Sequence, residues 1–261
     1  MAVLLSLAVG EGLFLRAVRI LHGRGVRVPL GQLVLWHLGV ATWVIAFVGP
    51  FDRWGAELLS GHMAEHLLIA DLGAPFLLAG MRNPVLAFLL PRSALVTLAR
   101  RQRLRSAFRT LHQPLVAIAV YTLALYFWHF PFAFEGAVRN DWVHAAQHGS
   151  FVGAGMLVWW SALEPKRRRL GGELWKIGHI LAARMIGMFL GMGFVIVRQP
   201  IYEDVYGAGQ RGFGLSAVHD QQLAGAMMVG LDVFIMLFAL TFFFVRAAGA
   251  HDAAIAGATS R

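Results

Sequence analysis

The chain has 261 residues, of which 58% are hydrophobic and only 14% charged. A soluble domain carries about 25% charged residues, so this composition excludes a soluble α/β enzyme, a coiled coil and a disordered chain and points to an integral membrane protein. The net charge of +9 would suggest nucleic acid in a soluble protein, and the absence of cysteine excludes disulfides, thiolate zinc sites and iron–sulfur clusters.

Seven apolar stretches lie near 2–21, 30–50, 57–80, 114–134, 142–163, 179–199 and 217–245. Each is long enough to cross about 30 Å of hydrocarbon as a helix. No alternating ten-residue pattern suggests a β-barrel. The expected fold is an all-α, seven-transmembrane-helix bundle, one transmembrane domain over 1–261.

The first stretch, MAVLLSLAVGEG, has no basic leader and reads as a span rather than a cleaved signal peptide. Arg16, Arg19, Arg24 and Arg27 follow it. The second contains His37. The third carries His62, Met63, Glu65 and His66 near its start and Asp71 further in. A basic loop, 81–113, comes next, and its segment 92–109 reads either as a helix on the inner leaflet or as a solvated topogenic loop. The fourth stretch carries His129 near its outer end. The fifth, preceded by Asp141, opens with His144 and His148 and holds Gly149 and Gly153. Lys166, Arg167, Arg168, Arg169 and Lys176 lie beyond it. The sixth contains Arg184, Met185, Gly187, Met188, Gly191 and Met192, and the seventh His219, Asp220, Met227, Met228 and Asp232.

Eighteen of the 23 Lys and Arg residues fall on one side of this arrangement. The positive-inside rule makes that side cytoplasmic, with the N-terminus outside and the C-terminus inside. The basic charge is then a topology signal, and nucleic acid is not an expected partner. The two Gly-xxx-Gly pairs suit close helix packing. An Arg184–Asp232 ion pair across the last two spans is expected. Both lysines lie in a cytoplasmic loop, so no retinal Schiff base is possible. The Met185, Met188 and Met192 stripe reads as a thioether ladder for Cu(I) or as ordinary gap-filling.

Of eleven histidines, six sit at the outer ends of four spans: His62, His66, His129, His144, His148 and His219. His62 and His66 share one helix face at i,i+4, as do His144 and His148. Met63 and His66 are i,i+3. Neutral imidazole with thioether suits copper, particularly Cu(I). Ionisable groups buried in a membrane are costly and tend to be functional. Alone, His37 and His129 also read as helix–helix hydrogen bonders. Asp220 directly follows His219 and is assigned to the same site. The candidate metal site is thus His62, Met63, His66, His144 and His148, with His129, His219 and Asp220 as supporting or transfer groups.

His62-Met63-Ala64-Glu65-His66, with Ala74-Pro75-Phe76-Leu77-Leu78-Ala79-Gly80 after it, resembles the third span of the membrane-bound CtaG family. Trp128-His129-Phe130-Pro131 is similar to its WHxP element. His144-Ala145-Ala146-Gln147-His148, then Gly155 and Trp159-Trp160, resembles its H…H…G…WW helix, and Asp220-Gln221-Gln222-Leu223-Ala224-Gly225 its DQQxAG element. Asp71 departs from the pattern, where an apolar residue is expected. The resemblance implies an assembly factor for caa(3)-type cytochrome c oxidase in the bacterial plasma membrane. It would supply copper to haem–copper oxidase subunits and have no turnover chemistry of its own. Residue spacing alone leaves two rivals open: a redox protein holding b-type haem by bis-His ligation, and a copper transporter.

Overall fold

A computed structural model describes residues 2–163, 174–207 and 209–259, with side chains for all of these but 2, 3, 52 and 250–259. Lys166, Arg167, Arg168, Arg169, Arg261 and the side chain of His251 lie outside the described residues. The described residues are helical, apart from turns and one isolated bridge between Gln210 and Ser216.

Helix α1 (Ala2–Gly23) leads into α2 (Leu30–Val48) and a short α3 (Pro50–Glu57). Next, α4 (Leu59–His66) runs through a π-helical turn, Leu67–Gly73, into α5 (Ala74–Gly80). The wide turn has a local cause. Pro75 has no N–H to offer the carbonyl of Asp71, and helices distort where that bond is missing. Beyond it come α6 (Leu86–Leu89) and the Arg-bearing pair α7 (Arg92–Arg100) and α8 (Gln102–Leu111). Neither α7 nor α8 contains a buried residue. α9 (Pro114–His129) ends at Pro131, which starts α10 (Pro131–Arg139). α11 (Asp141–Leu163), α12 (Leu174–Ile196), a short α13 (Glu203–Tyr206) and the long α14 (Ala217–Thr259) complete the bundle.

Among the described residues, four helices are long and apolar enough to cross a membrane: Leu30–Val48, Leu59–Gly80, Leu174–Ile196 and Ala217–Gly249. Counting α8 and α9 as one span, bent by 81°, makes five. α1 and α11 have 22 and 23 residues. However, α1 carries Glu11, Arg16 and Arg19, and α11 opens on Asp141, His144, Gln147 and His148. Length and apolarity therefore support four to five spans, against the seven expected.

The span Leu59–Gly80 is the most buried of the four and forms the axis of the bundle. Its Ile69, Ala70 and Leu78 pack with Tyr121 and Leu125 of α9, Phe151 and Val158 of α11, and Ile235 of α14. α12 and α14 form the most extensive helix pair. A Cβ on Gly191 would lie 2.9 Å from the Gly225 carbonyl oxygen, so this crossing needs the small residue expected there. Gly149 and Gly153 differ from expectation. Both are exposed, and a Cβ on either would meet nothing within 4 Å. They face away from the bundle because α11 turns its His, Phe151 and Trp159 face inward.

The expected Arg184–Asp232 pair is present at 3.1 Å. Arg184 also pairs with Asp71, and its guanidinium lies 4.9 Å from the Tyr121 ring centre. The π turn thus aims Asp71 at a fully buried arginine. His37 donates or accepts within α1 and α2 only, 2.7 Å from Leu33 O and 3.2 Å from Glu11 Oε1. It takes the helix–helix role, away from the other histidines.

Candidate metal centre

The i,i+4 spacing on α4 sets His62 and His66 with ring centres 4.3 Å apart. The same spacing on α11 sets His144 and His148 4.1 Å apart. The two pairs face each other. His62 stacks on His144 at 4.9 Å, and His66 meets His148 edge to face at 4.9 Å. One nitrogen from each of His62, His66 and His144 falls within 4.8 Å of the other two. Ligand atoms of Glu65, His144 and His148 form a second such group, with His148 Nε2 3.9 Å from Glu65 Oε1.

The cluster is dry. His62 is 2% exposed, His66 6% and His148 8%; His144 is half-buried. Phe134 and Phe151 close over His62 and His66 at 4.8 and 4.9 Å, and Phe47 lies 5.6 Å from His148. Among the described residues, His62 Nε2, both ring nitrogens of His66 and His148 Nε2 have no hydrogen-bond partner. A buried polar atom left unpaired costs about 1–3 kcal/mol. The unpaired nitrogens of His62 and His66 belong to one group of converging ligand atoms and that of His148 to the other, an arrangement that a cation with imidazole ligands relieves.

Proline starts two of the elements around this centre. Pro50 opens α3, which turns back at Leu58 so that α3 packs on α4. Gly61 permits that contact, since a Cβ there would lie 2.5 Å from the Trp54 backbone. Pro131 opens α10, bringing Phe134 over His62.

His129 stands one step away. Its Nδ1 lies 2.7 Å from Leu125 O, and a carbonyl only accepts, so Nδ1 carries the proton. Nε2 then keeps its lone pair and is buried without a hydrogen-bond partner. His129, His66 and Met63 line a cavity of about 30 Å³ that reaches Asp71, Tyr121 and Asp232. Met63 also packs against Phe134, Phe194, Tyr202 and Met228 in an apolar cluster.

The structure does not bring His219 to the cluster. Its ring is exposed, and its backbone N–H donates to Ser216 Oγ at 3.2 Å. Asp220 is fully buried beside α4 and is saturated there. Its carboxylate accepts from Leu59 N at 2.8 Å, Ser60 N at 3.0 Å and Ser60 Oγ at 2.6 Å, and pairs with Arg211 at 2.6 Å. It supplies, from α14, the cap that the start of α4 lacks in its own sequence. Asp220 therefore holds the imidazole-bearing helix in place. Of the Met stripe on α12, Met192 is exposed, and Met185 and Met188 are half-buried.

Three contributors were not assigned from sequence. Glu65 carries a ligand oxygen to the second group; its position within His62-Met63-Ala64-Glu65-His66 was the available signal. Tyr202 donates its hydroxyl to His129 O at 2.7 Å and stacks on Phe134 at 4.0 Å. Tyr206 donates to Gly55 O at 2.8 Å. Burial raises both phenols, helped at Tyr202 by Tyr206 and Glu135, and at Tyr206 chiefly by Asp220. Both therefore remain protonated donors that fasten residues 202–206 to His129 and Gly55.

The profile of a cytochrome c oxidase caa3 assembly factor family matches residues 12–249. Uncharacterized proteins of Mycobacterium bovis and Mycobacterium tuberculosis are each 27% identical over 247 residues, covering 90% of this chain and 36% of theirs. One of Mycobacterium leprae is 26% identical over 229 residues, covering 81% of this chain and 34% of its own. The chain thus spans about a third of the length of these relatives. No solved structure matches.

Proposed function

Because the chain belongs to the cytochrome c oxidase caa3 assembly factor family, we propose that it carries copper, as Cu(I), for insertion into haem–copper oxidase subunits in the bacterial plasma membrane. His62, His66 and His144 are the ligands in this reading. His148 and Glu65 form an adjacent station, and His129 and Met63 flank the way inward. The observation that carries it is the convergence of imidazole nitrogens from α4 and α11, those of His62, His66 and His148 being buried without hydrogen-bond partners among the described residues. Imidazole suits copper, and the dry surroundings suit a monovalent ion. The protein binds and hands over its cargo and performs no turnover.

The arrangement favours copper over haem. Two axial imidazoles must have a macrocycle between them, whereas His66 and His148 touch edge to face. A carrier is favoured over a transporter because, among the described residues, the two groups able to hold a cation share His144 at one level of the bundle and none lies further in. The seven-span reading with N-terminus outside puts the cluster near the outer face, since Arg-bearing α7 and α8 lie at the other end of the bundle.

Metal analysis tests this directly. Protein purified under reducing conditions without chelators should retain copper close to stoichiometrically. The His62→Ala/His66→Ala variant should lose it while keeping the helical circular dichroism of the parent. Equal copper in both proteins would refute the ligand assignment.

A further inference from the structure

The end of the bundle opposite the imidazoles holds a larger cavity, of about 580 Å³. Leu78, Trp160 and Phe243 give it an apolar wall, and Arg82, Lys176 and Arg246 bring three cations to it. The Lys176 ammonium lies 5.4 Å from the Phe243 ring centre, and the Arg246 guanidinium 5.6 Å from that of Phe242. Arg82 donates Nε–H to Ala79 O at 3.3 Å. Burial, and then the like charge of Arg246, push the Arg82 guanidinium down from its usual range. Two guanidinium groups are thus gathered in one cleft, where a phosphate can accept hydrogen bonds from both.

The depth fits a headgroup. His112, at the end of α8, stacks on Trp160 at 5.2 Å, so the cavity lies level with the Arg-bearing helices α7 and α8. Basic pockets between membrane helices at the cytoplasmic side are suited to anionic lipid headgroups. We propose that this cavity binds an anionic phospholipid, its phosphate between Arg82 and Arg246 and an acyl chain along Trp160 and Phe243. The site is separate from the imidazole cluster and does not depend on what that cluster binds.

The test uses the full chain, delipidated in detergent and offered phosphatidylglycerol and phosphatidylcholine of matched chains. Bound lipid is read by native mass spectrometry. Phosphatidylglycerol should be retained about tenfold over phosphatidylcholine. Arg82→Gln/Arg246→Gln should bring the ratio close to one, and Arg82→Lys/Arg246→Lys should keep most of it. Arg100→Gln/Arg101→Gln at the end of α7 should leave it unchanged. Should the double Gln variant fail to fold, Arg82→Gln alone, at a half-buried group, must still lower the ratio. Four results would each overturn the proposal: no preference in the parent, a preference that survives loss of Arg82, an equal loss from the α7 variant, or displacement of the lipid by millimolar inorganic phosphate. The last would mark a small-anion site instead.

Discussion

Asp220 shows how far a residue's neighbours in sequence can mislead about its task. Beside His219 it reads as part of a metal site, yet its carboxylate is taken up by the α4 backbone, Ser60 and Arg211. Charge-assisted hydrogen bonds inside a protein are the strong ones. Asp220→Asn should leave the buried Arg211 charge uncompensated and cost about 3–5 kcal/mol. Thermal unfolding in detergent checks this, and a midpoint within a degree or so of the parent would show the carboxylate to be dispensable. The imidazoles were more legible than Asp220, because i,i+4 spacing on one helix is a local property. That α4 and α11 oppose each other is not local, and neither is the capping partnership between residues 160 positions apart.

Among the elements, the apolar runs located the long helices well, since hydrophobicity and length decide them. The interruptions were less legible. Gly49-Pro50 fell at the end of one apolar stretch and Phe130-Pro131 inside another, and neither signalled a new helix, though a proline at the first helical position starts a helix as readily as it ends one. Asp71 was unexplained in sequence because a π turn shifts which face a residue presents, and no periodicity signals that shift in advance. Its role follows once α12 and α14 are packed beside it. The Arg184, Asp71 and Asp232 cluster has one cation for two acids, so its two ends are not equivalent. Arg184→Met leaves two carboxylates facing each other in a buried place and should cost about 3–5 kcal/mol. Asp71→Asn keeps the Arg184–Asp232 pair and should cost about 1 kcal/mol. The same melting measurement ranks the two, and a larger loss from Asp71→Asn would invert the assignment.

For the molecule as a whole, the charge asymmetry orders the ends of the bundle. A reporter fused after Arg261 should be active only in the cytoplasm if the positive-inside reading holds; activity on the outer side would turn the imidazole cluster inward. A strain lacking the chain should make oxidase polypeptides without full oxidase activity. Added copper should restore part of it, because mass action substitutes for a carrier that only raises local metal concentration. Oxidase activity measured across a copper series would show this as a rising curve, whereas a flat one would point to a role other than copper supply.

The half-open position of His144 has a consequence for exchange. His62, His66 and His148 are sealed beneath Phe134, Phe151 and Phe47, while Tyr202 and Tyr206 pin the segment above them. Ligand substitution at a tightly held ion proceeds most easily when an incoming donor arrives before the outgoing one departs. Among the described residues of this cluster His144 is the least buried imidazole, so if the proposed copper is held there such a donor would reach it first. The first bond to break in a hand-over would then be the one to His144, with the α4 pair letting go last. Retention and release would fall to different helices, α4 acting as the anchor and α11 as the gate.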